Sequence, residues 1–193
     1  IHIISANMHS VLNAIYAKGA LPEEADKNKG FELYQLLSNA DSKLLQKKVK
    51  DYASENGLIY VKDSSGTNIN VQIIDTHKIN FDVSPFIRRN SLEENSIIIV
   101  MDYAFGEQAY ETMDELLKPY KNRNEKNYLD VKSISIMGKA GILEGGKGDI
   151  MIPSAHIFEG TADNYPFINE LSKEDLEGFG VQVFDGSMIS VLG

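Results

Sequence analysis

The sequence has no cysteine among its 193 residues. Without cysteine the chain has no disulfide, no thiolate metal site and no cysteine nucleophile. This absence fits a reducing compartment, and we expect a cytoplasmic protein.

An excess of basic residues is also lacking, because 19 Lys and Arg stand against 28 Asp and Glu, for a net charge of −9. A duplex nucleic-acid binder usually carries a basic patch, and only short runs such as Lys47-Lys48 and Arg88-Arg89 occur here. No apolar run approaches the roughly 20 residues of a membrane span. The apolar start Ile1–Ile4 is followed by His9 and a helical pattern, which do not suit a signal peptide. We therefore expect neither a nucleic-acid nor a membrane partner.

The length of 193 residues suits one good-sized α/β domain, and no internal repeat divides it. We predict a single domain over residues 1–193. The chain starts at Ile1 within a strand pattern and stops at Gly193 directly after the apolar run Met188–Leu192. Natural termini usually carry polar, fraying residues. We therefore expect a piece of a longer protein.

Two strand–loop–helix units are visible. Residues Ile1–Ser5 predict a strand, and helical spacing of apolar residues predicts a helix after it, capped by Asn7 or Ser5 and ended by Gly19. The continuous apolar run Ser96–Met101 is typical of a central strand covered on both faces. It leads into a loop over Asp102–Gly106 and a second helix.

The remaining pattern predicts shorter elements. The predicted helices cover Phe31–Leu37 and Asp41–Asn56, and a capping pair at Ser172 and Asp175 marks a later one. The predicted strands cover Leu58–Lys62, Ile69–Thr76, Ile79–Ile87 and Val181–Leu192. Gly186 in the middle of the last one indicates a bulge or a close backbone approach. Polar or irregular connections are predicted over Leu21–Gly30, Asn122–Asn127 and Ser154–Phe167.

The segment Val131–Pro153 is the most distinctive in the chain. Its pattern predicts a strand over Val131–Met137 and a second strand over Ile150–Ile152 that stops at Pro153. Between them, five glycines fall within eleven positions. Such glycine clusters occur where φ must be positive or where backbone approaches something closely. A tight turn and a ligand loop both fit this description.

Known site motifs fit poorly. Gly141 and Gly146-Lys147 match most of a phosphate loop, but Gly148 replaces the Ser or Thr that would hold magnesium, and a strand pattern follows instead of a helix. The dinucleotide fingerprint fails on glycine spacing. No nucleophile elbow is present. The four histidines are scattered, so no metal site is expected.

Three segments together resemble the nucleoside phosphorylase superfamily, and within it the methylthioadenosine/S-adenosylhomocysteine nucleosidases and AMP nucleosidases. IHIISANMHSV (Ile1–Val11) looks like the opening strand and first loop, and IIIVMDYAFGEQA (Ile97–Ala109) like a strand with a glycine loop and helix. MGKAGIL…KGDIMIP (Met137–Pro153) is similar to the family's base-binding segment. The resemblance implies a three-layer αβα fold with a mixed, mostly parallel central sheet, lacking here its C-terminal strand and helix.

The resemblance also implies site residues. Catalytic roles fall to His9, Ser10 and Asp102, although Ser10 stands where the nucleosidases have a glutamate. Substrate contacts fall to the residues Asn7, Arg88, Ala104, Phe105, Gly106, Gly138, Lys139, Ala140 and Gly141. The charged Lys139 and the bulky Ile142 depart from the family pattern, and the family's ribose clamp and late aspartate are not in the sequence.

The implied activity is cleavage of the N-glycosidic bond of a purine-type nucleoside or nucleotide, by hydrolysis or phosphorolysis. No cofactor is expected, and phosphate would be the co-substrate of a phosphorolytic reaction. We expect a small-molecule nucleoside or nucleotide as partner, and a homo-oligomer. The alternative is a nucleotide-binding or scaffold domain of the same fold that has lost catalysis, which the departures at Ser10 and Ile142 favour.

Overall fold

The computed structural model describes residues 1–29, 31–64, 66–83, 96–104, 106–122, 125–141, 143–158, 163–178 and 180–190. Its contacts group into two compact units, Ile1–Gly138 and Lys139–Gly193. The chain contains both helices and mixed sheets, so the α/β class is confirmed. The single domain over residues 1–193 stays a prediction.

The first unit holds most of the regular structure. Its helices are α1 (Met8–Ala20), α2 (Pro22–Lys27), α3 (Glu32–Ser38), α4 (Lys43–Glu55) and α5 (Gly106–Leu117). Short 3-10 turns cover Ala40–Ser42 and Thr76–Lys78. Its strands are β1 (His2–Ser5), β2 (Leu58–Val61), β3 (Val71–Asp75), β4 (Ile97–Met101), β5 (Tyr120–Asn122), β6 (Glu125–Asn127) and β7 (Ser133–Ile136).

Five of these strands form one mixed sheet in the order β2-β3-β4-β1-β7. Strand β1 lies between β4 and β7 and pairs in parallel with both. Strands β2 and β3 join the other side through antiparallel ladders. The sheet is mixed, as predicted, but its described ladders divide evenly between parallel and antiparallel. The reason is that β2, β3 and β4 pair antiparallel in the order of the sequence, whereas β1 joins β4, and β7 joins β1, from distant parts of the sequence.

Two apolar clusters lie among these elements. The larger contains buried residues of α1, α3 and α4 together with Leu58, Ile74, Ile98 and Val100 of the sheet. The smaller centres on Ile3, Ile69 and Met101, with Met113 and Leu116 of α5 packed against it. Neighbouring residues of one strand therefore belong to different clusters, as the alternation of side chains along a strand requires.

Helix α1 extends one residue beyond its predicted end, so Gly19 lies inside it rather than after it. The reason is packing. A Cβ atom at Gly19 would lie 2.7 Å from the Tyr52 hydroxyl oxygen and 2.9 Å from Cγ2 of Val83. The glycine thus allows α4 and the segment around Val83 to approach α1 closely.

Two connections of the first unit were predicted wrongly. Residues Pro22–Lys27, expected in a loop, form α2, which has proline in its first turn, glutamates beside it and Lys27 in its last turn. The expected linker Asn122–Asn127 overlaps a short antiparallel hairpin of β5 and β6. Of the predicted strand Ile79–Ile87, residues 79–83 are irregular and the rest lies outside the described residues.

The second unit contains β8 (Ile150–Phe158), β9 (Asp163–Pro166), α6 (Lys173–Leu176) and β10 (Val183–Ser190). They form a sheet in the order β10-β8-β9, with β8 and β10 parallel. Strand β8 does not stop at Pro153 as predicted but continues to Phe158, and the segment expected to be irregular holds β9. The ladder of β8 and β10 shifts register between Gly186 and Ser187, so the irregularity predicted at Gly186 is present. The extra residue is Ser154 of β8, because Gly186 pairs with Pro153 and Ser187 pairs with Ala155. This bulge directly follows Pro153, and a bulge is a place where a sheet tolerates a residue without an N–H group.

The predicted capping pair at the start of α6 is also confirmed. The backbone N–H and the hydroxyl of Ser172 donate to the Asp175 carboxylate at 2.8 and 2.9 Å. These two hydrogen bonds hold the pKa of the Asp175 carboxyl below its usual range.

Candidate functional site

Three neighbouring parallel strands end at one edge of the five-stranded sheet. Ser5, at the end of β1, is in register with Met101 at the end of β4 and with Ile136 at the end of β7. In open α/β sheets, ligands bind beyond the carboxyl ends of the strands. We therefore take this carboxyl edge as the candidate site of the first unit.

Backbone hydrogen bonds tie together the segments that leave this edge. The Ala6 N–H donates to the Met101 carbonyl at 3.1 Å, and the Met137 N–H donates to the Ser5 carbonyl at 2.9 Å. The Asp102 N–H donates to the Asn70 carbonyl at 3.2 Å. The chain segments that follow β1, β4 and β7 thus leave the sheet side by side. The segment after β7 belongs to the first unit only up to Gly138.

Asn7 joins β1 to α1 and acts as the cap of that helix. Its Oδ1 accepts hydrogen bonds from the backbone N–H groups of His9 and Ser10, at 3.0 and 3.1 Å. The cap satisfies two donors that the first turn of a helix otherwise leaves unpaired. The predicted cap is therefore confirmed, and the Asn7 oxygen is engaged within its own helix.

His9 and Ser10, the proposed catalytic pair of the first loop, are both exposed in the first turn of α1. Ser10 also lines an open groove of about 200 Å³ between α1 and α3. Asn13, Ala14, Phe31, Tyr34 and Ser38 line the rest of it. Burial raises the pKa of the Tyr34 hydroxyl, so this hydroxyl stays protonated at neutral pH.

Asp102 and Ala104 follow β4. Asp102 is half-buried, and its Oδ1 accepts the N–H of Tyr103 at 2.9 Å, so it stabilises the turn that it opens. Ala104 packs against the smaller apolar cluster. Gly106 is the first residue of α5. Of the residues predicted to contact substrate, Arg88 and Phe105 lie outside the described residues.

The glycine-rich segment is divided between the two units. Gly138 closes the first unit, and Lys139, Ala140 and Gly141 open the second, where all three are exposed. A Cβ atom at Gly138 or Gly141 would meet no other atom within 4 Å. Neither glycine is therefore required by packing within the described chain.

The later glycines form the turn before β8. The Gly146 N–H donates to the Asp149 carboxylate at 2.7 Å, and the Asp149 N–H donates back to the Gly146 carbonyl at 3.2 Å. This pair of hydrogen bonds closes the turn, and the strand begins at Ile150. Because a strand and not a helix follows, the segment lacks the helix N-terminus of a phosphate loop.

Gln72 is a residue that the sequence analysis missed. It is only 4% exposed, and its Oε1 has no hydrogen-bond partner within the described part of the chain. It lies on β3 next to Val71, which is paired with Met101, so it is one residue from the carboxyl edge. A buried amide oxygen without a partner is costly unless something else satisfies it. The sequence did indicate its burial, because Gln72 is two residues before Ile74 in the predicted strand and therefore lies on the same face of the sheet.

Two features are absent from the part of the chain that the structure describes. No helix in it has the length and apolar content needed to cross a membrane. Nor does it bring together three or more histidine or carboxylate side chains that could hold a metal ion.

Comparison with known proteins found no match among the curated proteins and none among the solved structures. One family model does match, over residues 31–193, and it describes a family of unknown function. The matched region includes β4 and β7 but begins after β1 and α1. Since the match covers well over half of the sequence, the chain belongs to that family, DUF6909.

Proposed function

We propose that this chain is a nucleoside phosphorylase-like domain that binds a nucleoside or nucleotide at the carboxyl edge of β1, β4 and β7 and cleaves its N-glycosidic bond. One observation carries the proposal. The three segments that resemble the family contain β1, contain β4 and directly follow β7, and these three strands end side by side at one edge of the sheet, where backbone hydrogen bonds join them.

We also infer the three-layer αβα arrangement that the resemblance implies. The larger apolar cluster holds alternate strand residues together with α1, α3 and α4. The smaller cluster holds the intervening strand residues, which lie on the other face, together with α5. Helices therefore pack against both sets of strand residues, which supports a sheet covered on both faces.

The chemistry of the proposed reaction needs three things. The ribosyl group becomes an oxocarbenium-like cation, so an anion or polarised water must lie beside it, and the leaving base must gain a proton. In this proposal Asp102 stabilises the cation, while His9 and Ser10 supply a proton donor and a hydroxyl at the start of α1. Exposed backbone N–H groups near Gly106 and Gly138 would hold the anionic or polar parts of the substrate.

The second candidate is binding without cleavage. It is favoured by the local engagement of two proposed site residues, because the Asn7 oxygen caps α1 and the Asp102 carboxylate accepts from Tyr103. A catalytic group is usually directed at the substrate by its neighbours rather than occupied by its own turn. In this case the domain would sense or hold a nucleotide, which fits the serine at the position of the family's glutamate.

Binding is the first test. Calorimetric titration of the chain with adenosine, AMP, inosine, uridine and methylthioadenosine should give saturable heat for at least one of them. Ala104→Trp would fill the space after β4 and should abolish that binding, whereas Lys18→Ala at the far end of α1 serves as control. If none of the five compounds binds, both candidate functions are contradicted.

Turnover separates the two candidates. Release of free base is followed chromatographically with the compound that binds, with and without phosphate. Base release that Asp102→Asn reduces by about a hundredfold or more would support cleavage, in line with the loss of one charge-stabilising group. Binding without any base release would favour the sensor, and release only with phosphate would identify a phosphorylase.

A further inference from the structure

Strand β2 forms an edge of the five-stranded sheet. It pairs with β3 alone among the described strands, through an antiparallel ladder in which Tyr60 is opposite Gln72. An edge strand carries a row of backbone N–H and C=O groups without a neighbour, and such a row can accept another strand.

The hydrogen-bonding register identifies the outward groups. The Asp75 N–H donates to the Gly57 carbonyl at 3.0 Å, so this opposing pair is a hydrogen-bonded one. Hydrogen-bonded and non-bonded pairs alternate along an antiparallel ladder. Ile59 and Val61 therefore turn their backbone groups towards β3, while Leu58 and Tyr60 turn theirs away from it.

The side chains of β2 are unusually apolar for an open edge. Ile59 is 59% exposed, Tyr60 is 42% exposed and Val61 is 44% exposed. Leu58 belongs to the larger apolar cluster, so Tyr60, two residues later, lies on the same face as α4. Ile59 and Val61 lie on the opposite face.

Helix α4 carries a lysine stripe beside this edge, formed by Lys43, Lys47 and Lys50. With about 3.6 residues per turn, these positions lie within roughly 60° of one another. All three side chains are exposed, and none has an ion-pair partner among the described residues. The Lys50 ammonium lies 4.9 Å from the centre of the Tyr60 ring, which places the Lys50 end of the stripe next to β2.

We propose that β2 is the docking edge for an extended peptide in which acidic and apolar residues alternate. The peptide would add as a strand to the Leu58 and Tyr60 backbone groups, as in β-strand addition. Its side chains on the α4 face would meet the lysine stripe and are therefore acidic. Those on the other face would continue the apolar surface of Ile59 and Val61. This site is separate from the carboxyl edge and does not depend on the proposed function.

A second copy of the chain fits the edge less well. Antiparallel pairing of two β2 strands in one continuous sheet would put both α4 helices on the same face. The two lysine stripes would then lie next to each other, and like charges opposed in this way cost free energy. An acidic partner removes that cost, so charge complementarity favours the peptide.

The probe is a fluorescently labelled peptide of about eight residues, a common strand length, that alternates Glu and Val. Fluorescence anisotropy with the whole chain at low ionic strength should show saturable binding that weakens as salt is added. The control peptide alternates Lys and Val, keeping length and apolar content while reversing the charge. We expect it to bind at least tenfold more weakly.

Two sets of variants test the two halves of the surface. Lys43→Glu with Lys47→Glu should weaken binding about tenfold, because two favourable exposed pairs become repulsive ones. Lys48→Glu is the matched control, since it lies on the same helix about 100° away from Lys47, and it should change binding less than about twofold. Tyr60→Pro removes an N–H that faces away from β3, so it should block the peptide without removing a ladder hydrogen bond.

The proposal is supported if the Glu/Val peptide binds and the lysine double variant weakens it while Lys48→Glu does not. It is overturned if the two peptides bind equally, if neither binds, or if Lys43→Glu with Lys47→Glu leaves the affinity unchanged. A dimer in sedimentation experiments that Tyr60→Pro dissolves would also overturn it, because β2 would then pair with a second copy. Should Tyr60→Pro fail to fold, the peptide pair and the lysine variants decide alone.

Discussion

The turn from α4 into β2 depends on Gly57, and replacing it with alanine tests the packing of the first unit most directly. Gly57 has a φ of +102°, and a Cβ atom there would lie 2.7 Å from the Asp75 carbonyl oxygen and 2.9 Å from Cβ of Lys78. The first contact involves backbone, which cannot rotate away as a flexible side chain can.

The expected loss has two parts. A non-glycine residue in this conformation costs about 1–2 kcal/mol, and alanine recovers about 0.4–1 kcal/mol by restricting the unfolded chain. Overpacking against backbone adds about 1–3 kcal/mol. We therefore expect Gly57→Ala to lower the free energy of unfolding by about 3 kcal/mol, since the Asp75–Gly57 hydrogen bond must also shift.

Gly66→Ala isolates the conformational part. Gly66 has a φ of +88° in the same unit, and a Cβ atom there would meet nothing within 4 Å. This variant should lose only about 1 kcal/mol. Urea unfolding followed by circular dichroism and tyrosine fluorescence measures both variants. If Gly57→Ala were no less stable than Gly66→Ala, the close approach of Asp75 to this turn would be refuted, and with it the register used for the β2 edge.

Three further outcomes are expected. Asn7→Ala should lower the free energy of unfolding by about 1 kcal/mol and Asn7→Asp by much less, since aspartate also caps a helix; equal losses in urea unfolding would contradict the cap. Ile74→Ala should lose about 2–5 kcal/mol, because its side chain is 0% exposed in the larger cluster, and a loss below about 1 kcal/mol would show that this core is loose. Burial, and secondarily the charge of Asp75, raises the pKa of the Tyr16 hydroxyl. The contribution of this group to the free energy of unfolding should therefore be fully present below the ordinary tyrosine pKa of about 10 and fall as the pH rises above it. Tyr16→Phe should flatten that alkaline decline in unfolding titrations, and an unchanged slope would contradict the burial of the hydroxyl.

The candidate site illustrates which residues can be recognised from sequence. Asn7 was predicted as a cap because its hydrogen bonds reach only two and three residues ahead. Gln72 was missed because its Oε1 lacks a partner among the described residues, and that depends on strands that are distant in sequence. The resemblance implied a mostly parallel sheet, but only the pairing of β1 with both β4 and β7 showed which strands end side by side.

The errors in the fold have similar causes. The Pro22 segment was assigned to a loop because its polar composition outweighed its good helix signals. Pro153 was expected to end a strand, yet β8 continues with a bulge at Ser154, where its ladder with Gly186 and Ser187 of β10 shifts register. Gly19 was expected to end α1, but its role is to admit the Tyr52 ring of another helix. In the last two cases the deciding neighbour is more than 30 residues away.

The sequence by itself determined the α/β class, the start of α1 at its Asn7 cap, the central strand β4 and the irregularity at Gly186. These features depend on side-chain alternation, capping and glycine placement, which act over a few residues. Only the tertiary structure decided that β1 lies between β4 and β7, that β2 is an edge beside Lys50 of α4, and that the buried Gln72 Oε1 has no partner among the described residues. Those features require long-range strand pairing and helix packing, and the free energy that selects them comes from burial shared among segments far apart in the chain.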